Sequence, residues 1–70
     1  MNVDTVRDKI KSKINSECRI KVNGLRNKTN IYYGVITSAY PYIFSVSVSD
    51  ENKSFSYVDV ITGEVEIEYL

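Results

Sequence analysis

Seventy residues make a single domain, 1–70, with a marginal core, because a chain this short buries only about 60% of its unfolded surface; pairing as a homo-oligomer is one way to bury more. Nine cationic and nine anionic side chains cancel, one cysteine has no partner for an intramolecular disulfide, and the absence of histidine excludes a Cys/His zinc site and a histidine general base. No apolar run approaches the roughly 20 residues that span a bilayer and no signal-peptide core precedes the charged start, so the sequence predicts a cytoplasmic protein without a membrane partner.

Val3, Val6, Ile10 and Ile14 recur at helical spacing, which predicts an amphipathic helix over 3–15, with Asn2 as N-cap and Asp4 in the first turn. Arg7 and Lys11 flank the apolar stripe on one side, Lys9 and Lys13 on the other. A stripe so narrow suits a helix lying on a β domain and covering an open end or edge. Cys18, Ile20 and Val22 then alternate with Arg19, Lys21 and Asn23, a half-buried strand with a basic outer face and Cys18 turned inward as a small hydrophobe. Asn23-Gly24 is a hairpin signal and puts Arg26 and Lys28 on the exposed tip.

From Thr29 to Ala39 two faces are both partly apolar: Ile31, Tyr33, Val35, Thr37 and Ala39 on one, Tyr32, Gly34, Ile36, Ser38 and Tyr40 on the other. This predicts a long bent strand, with Gly34 at a bend, a bulge or a close backbone approach, Tyr33 inward, and Tyr32 exposed. Pro41 breaks the run and leaves Tyr40 and Tyr42 exposed at a turn. Phe44, Val46 and Val48 alternate with serines, Asp50-Glu51-Asn52 turns the chain, and Phe55 and Tyr57 mark a short fourth strand. Asp59 to Gly63 reads as a tight helical turn. Val65, Ile67 and Tyr69 alternate with Glu64, Glu66 and Glu68, a strand whose acidic outer row suits a neighbour bearing Arg19 and Lys21. One helix and five short strands predict a mainly β fold: a small five-stranded SH3-like (Sm-like) barrel over 17–70 with one N-terminal helix over 3–15.

Catalytic chemistry has no carrier in this pattern. The three glutamates of the last strand stand about 7 Å apart along a solvent face and do not converge on a metal, and the glycines lack phosphate-cradling spacing. No cofactor is expected. Charge is unevenly spread, with eight cations against three anions in residues 1–30 and one against six in residues 31–70. Six tyrosines add rigid contact area with polar tips. The candidate binding surface is therefore Arg19, Lys21, Arg26, Lys28, Tyr32, Tyr40 and Tyr42. Such a surface serves either a protein partner or RNA or DNA, whose bases stack on tyrosines beside cations. A continuous positive stripe through Lys9, Lys13, Arg19, Lys21, Arg26 and Lys28 would favour nucleic acid, and an exposed tyrosine and apolar patch rimmed by charge would favour protein.

Asn23-Gly24 with Arg26, Lys28-Thr29 and Gly34, then Tyr40-Pro41 with Phe44, then Ser54 to Thr62 with Ser56-Tyr57 and Asp59 resemble, in order and spacing, the Veg family of small proteins of Gram-positive bacteria. The likeness runs over residues 5 to 69 and is looser at Leu25 to Asn27, at Tyr32 and in the shorter hairpin at Asp50 to Lys53. The resemblance implies an SH3-like barrel and a non-enzymatic cytoplasmic regulator, linked to biofilm formation through control of transcription. It lends no catalytic residue. The resulting expectation is a regulatory module that acts through protein contacts, with binding of RNA or DNA by the basic loop and helix flanks as the alternative.

Overall fold

Asn2 starts the first element by accepting the backbone N–H of Thr5 at 2.9 Å, satisfying one of the donors a helix leaves unpaired at its N-terminus. The computed structural model describes residues 2–24 and 28–70. Its first helix, α1, runs Val3–Lys11 and buries Val6 and Ile10. Helical periodicity continues to Ile14, yet the helix stops short of the predicted residue 15 for local reasons. The Ser12 hydroxyl donates to the Lys9 carbonyl at 2.6 Å, the Lys13 N–H turns back to Ile10, and Asn15 takes φ 72°, a left-handed conformation that asparagine tolerates. Ile14 still packs on the core. The two residues ahead of the first strand already tie to Ile36, with Asn15 N–H donating to the Ile36 carbonyl at 2.7 Å and Ile36 N–H donating to the Ser16 carbonyl at 3.1 Å.

The remaining elements are β1 (Glu17–Asn23), β2 (Thr29–Ala39), β3 (Ile43–Val48), β4 (Glu51–Ser56), α2 (Tyr57–Thr62) and β5 (Val65–Tyr69). All five strands join one antiparallel sheet in the order β4-β3-β2-β1-β5. Among the described residues the two edge strands do not pair, so the sheet is open where the sequence reading expected a closed barrel. Helix α2 touches both edge strands and α1 packs against α2, and the two helices cover the core where a barrel would use strand pairing. The core consists of Val6, Ile10, Cys18, Ile20, Ile36, Phe44, Val46, Tyr57 and Val65.

Strand β2 decides which residues face that core. Its register sets Tyr32 opposite Ile20 and Ile36 opposite Val46, so even-numbered residues point inward and Tyr33, opposite Arg19, points outward. The sequence reading had these two tyrosines reversed. A bulge at Thr37 then shifts the register, the Thr37 hydroxyl donating to the Ser45 carbonyl at 3.2 Å, and Ala39 comes to lie opposite Phe44 and against the core. Inward parity changes once along the strand and brings Ala39 to the core side, while Ile31 and Tyr33, ahead of the bulge, stay on the outer face. Gly34 sits where β2 and β3 approach most closely: a Cβ there would stand 2.3 Å from the Ser47 carbonyl oxygen and 2.9 Å from Val46.

Two further boundaries differ from the sequence reading. The β3–β4 hairpin turns on Ser49 and Asp50, with Val48 opposite Glu51, one residue earlier than expected; Ser49 takes φ 55°, as tight hairpin loops demand. Tyr57 is the first residue of α2 and not part of the fourth strand. Ser56 caps it, its hydroxyl accepting Val58 N–H at 3.1 Å, and Gly63 ends it at φ 89°, where glycine has no Cβ penalty. Tyr57 is fully buried. Its ring stacks on Phe44 at 5.6 Å between centroids, and its hydroxyl donates to the Tyr40 carbonyl at 2.6 Å.

Phe44→Ala is expected to cost about 3–5 kcal/mol, as emptying a buried phenylalanine site does. Gly34→Ala is expected to cost about 2–3 kcal/mol by forcing β2 from β3. Urea denaturation checks both; a midpoint unmoved by Gly34→Ala would show that the two strands need no such approach.

Candidate protein-binding face

The outer face of β5, β1 and β2 carries its charge in pairs. The antiparallel register places Arg19 opposite Glu68 and Lys21 opposite Glu66, and the side chains meet at 2.8 Å and 3.6 Å. Asn23 extends this line: its amide donates to the Glu66 carboxylate at 3.1 Å and to the Gly63 carbonyl at 2.9 Å. The Asn23 hydrogen bond, with the charge of Lys21 next in importance, holds the Glu66 carboxyl below the usual carboxylate range. The expected matching of the basic row with the acidic row is therefore present. These are exposed pairs, each worth about 1 kcal/mol or less, so their effect is to neutralise the face more than to hold it together.

On the other side of β1 the same rows continue into β2 with apolar side chains. Tyr33 stands opposite Arg19 and Ile31 opposite Lys21; Tyr33 is 62% exposed and Ile31 47%. Tyr33, Val35 and Leu70 line a shallow depression of about 240 Å³ with Glu17, Cys18 and Gly34. Leu70 reaches it because its N–H bonds the Glu17 carbonyl at 3.1 Å. The arrangement is a strip of apolar and aromatic surface bordered by neutralised charge.

The other residues singled out from the sequence do not gather here. Tyr32 lies on the opposite face, half-buried, with its ring 6.5 Å from that of Phe55 and the Lys53 ammonium 4.9 Å above it. Tyr40 and Tyr42 are exposed, Tyr42 at 79%, at the β2–β3 turn, whose backbone is anchored by Tyr57 on the Tyr40 carbonyl and by Arg7 on the Pro41 carbonyl at 3.1 Å. Lys28 is exposed just before β2 begins, at the other end of that eleven-residue strand. Lys28 and the two tyrosines therefore stand at opposite ends of β2 and do not meet. Arg26 falls outside the described residues. Lys9 and Lys13 meet at neither place: both ammoniums lie over the ring of Tyr69, at 5.5 and 5.8 Å from its centroid.

Sequence reasoning missed Tyr33, Ile31 and Leu70. The signal that finds them is the pairing of β2 with β1, since only the register tells which of two apolar faces is inside. Cys18 is buried as expected. Burial pushes its thiol above the ordinary value, which disfavours the reactive thiolate.

Because the folded Glu66 carboxyl is held low, its stabilising contribution is present above the unfolded value and is lost as pH falls through the folded one. Glu66→Gln is expected to reduce the acid-induced loss of stability between about pH 5 and pH 2, read from urea midpoints across that range. Arg19→Ala and Lys21→Ala should each shift stability at neutral pH by about 1 kcal/mol or less.

The family model described as biofilm formation stimulator VEG matches residues 1–68 of the chain. A search of curated proteins finds no match. No helix among the described residues is long and apolar enough to cross a membrane.

Proposed function

Since the chain belongs to the Veg family of biofilm formation stimulators, we propose that it is a small non-enzymatic regulator that promotes biofilm formation by binding a protein through the outer face of β1 and β2. The observation that carries this reading is the exposure of Ile31 and Tyr33 beside cations that already have carboxylate partners. Apolar surface rimmed by neutralised charge is suited to a protein partner, because aromatic side chains supply contact area and the paired charges set register without a large net field. The target on this reading is a component of transcription control, met in the cytoplasm.

Binding of RNA or DNA fits less well. Affinity for phosphates comes from cations free to displace counterions, and Arg19 and Lys21 each face a glutamate on β5. Lys9 and Lys13 are gathered on the ring of Tyr69, which packs on the core side of β5 and not on the face of Arg19 and Lys21.

Ile31→Ser combined with Tyr33→Ser tests the reading. Both side chains are exposed, so the variant should fold with a urea midpoint close to wild type. In a strain lacking its own copy, wild type should restore biofilm formation and the double variant should not. Capture from cell extract should give a protein partner that nuclease treatment does not remove and that the double variant fails to hold. A double variant with full biofilm activity would overturn the assignment of this face.

A further inference from the structure

Strand β5 is an edge of the sheet, paired with β1 alone. The Asn23 N–H bonds the Glu64 carbonyl at 2.8 Å and the Leu70 N–H bonds the Glu17 carbonyl at 3.1 Å, and bonded positions alternate along an antiparallel ladder. Glu64, Glu66, Glu68 and Leu70 therefore turn their backbone groups toward β1. Val65, Ile67 and Tyr69 turn theirs off the free edge. That leaves three N–H and three C=O groups in a row, the template on which an extended peptide adds as a further strand.

Beside this edge lies a depression of about 470 Å³ between α1, α2 and β5. Val6, Val60, Val65 and Ile67 make its floor apolar, and Lys9 and Tyr69 stand at its margin. Side chains of an added strand that lie opposite Val65, Ile67 and Tyr69 share their face and enter the depression. Lys9 and Lys13 converge on one ring, and among the described residues neither has a carboxylate within ion-pair distance. The Glu66 carboxylate, the acid nearest in the lining, is held by Asn23 and Lys21. Two like charges gathered in this way favour an incoming anion.

We infer that the β5 edge takes up an extended acidic peptide segment of a partner protein as a sixth strand, with alternate apolar side chains in the α1–β5 depression and a carboxylate between Lys9 and Lys13. The site is separate from the outer face of β1 and β2 and does not depend on the reading given to that face.

A display library of random heptapeptides selected on the full chain tests the inference. Enriched sequences should alternate apolar residues, lack proline within the alternating run and carry an acidic residue at one end. A synthetic peptide of the enriched type should lose affinity at least about tenfold, or 1.4 kcal/mol, on Lys9→Glu combined with Lys13→Glu, while Ile31→Ser with Tyr33→Ser leaves its affinity unchanged. Lys9→Gln with Lys13→Gln serves where the charge-reversed variant does not reach the wild-type urea midpoint. Methylating peptide backbone nitrogens one at a time should abolish binding only at alternate positions, those whose N–H points to β5. Failure to enrich any sequence would overturn the inference, as would affinity that survives the lysine substitutions or a peptide that tolerates methylation at every nitrogen. None of these outcomes bears on the biofilm phenotype of the outer-face variant.

Discussion

The hydrogen bond from the Tyr57 hydroxyl to the Tyr40 carbonyl, 2.6 Å long, ties together parts of the chain that sequence keeps apart. Tyr57 begins α2 directly after the edge strand β4, while Tyr40 opens the β2–β3 turn, whose next carbonyl receives Arg7 from α1. The ring stacks on Phe44, which in turn meets Phe55. A phenol is suited to this place because its body fills the core while its tip satisfies a carbonyl that the Pro41 turn leaves without a sheet partner. Burial raises the Tyr57 hydroxyl's pKa, against smaller opposing effects of Arg7 and of the bond to Tyr40, so it remains a donor across the ordinary pH range. In an open sheet with no strand pairing between its edges, such ties between helices, turn and sheet carry the closure.

The same economy governs the surface. The chain is uneven in charge along its length, yet β1 and β5 are neighbours in space, and the cations of one meet the anions of the other. Folding converts a sequence dipole into local pairs. What remains distinctive is apolar: Tyr33 and Ile31 on one side of the sheet, and the depression under β5 on the other. Lys9 and Lys13, over the Tyr69 ring beside that second place, have no carboxylate within ion-pair distance among the described residues, which distinguishes the two surfaces chemically.

Much of the fold was legible in residue patterning. The five strands, the N-terminal helix, the inward Cys18, the need for glycine at 34 and the match of the Arg19–Lys21 row to the glutamates all follow from alternation and from the shapes of a few residues. What patterning could not supply was register. With both faces of β2 partly apolar, a bulge at Thr37 that reverses inward parity leaves no trace in composition, and Tyr32 and Tyr33 exchanged roles as a result. Helix α2 was legible only in its second half, because Tyr57 satisfies the alternation of a strand as well as the first position of a helix capped by Ser56. The placement of the candidate residues was least legible: Arg19 and Lys21 stand on one face of the sheet, Tyr32 on the other, and Lys28 and Tyr40 at opposite ends of β2, since sequence reports type and not place.

The buried Cys18 lends the molecule an internal clock. With its sulfur buried in the core beneath β1, itself paired on both sides, and its thiol pushed toward the protonated form, alkylating reagents reach it when the β1 ladder opens. The labelling rate in native buffer then measures how often that opening occurs, without denaturant and without an engineered cysteine. Transient oxidants should pass the folded protein by, and a covalent mark on this sulfur would record a chain in which β1 had come away from the sheet.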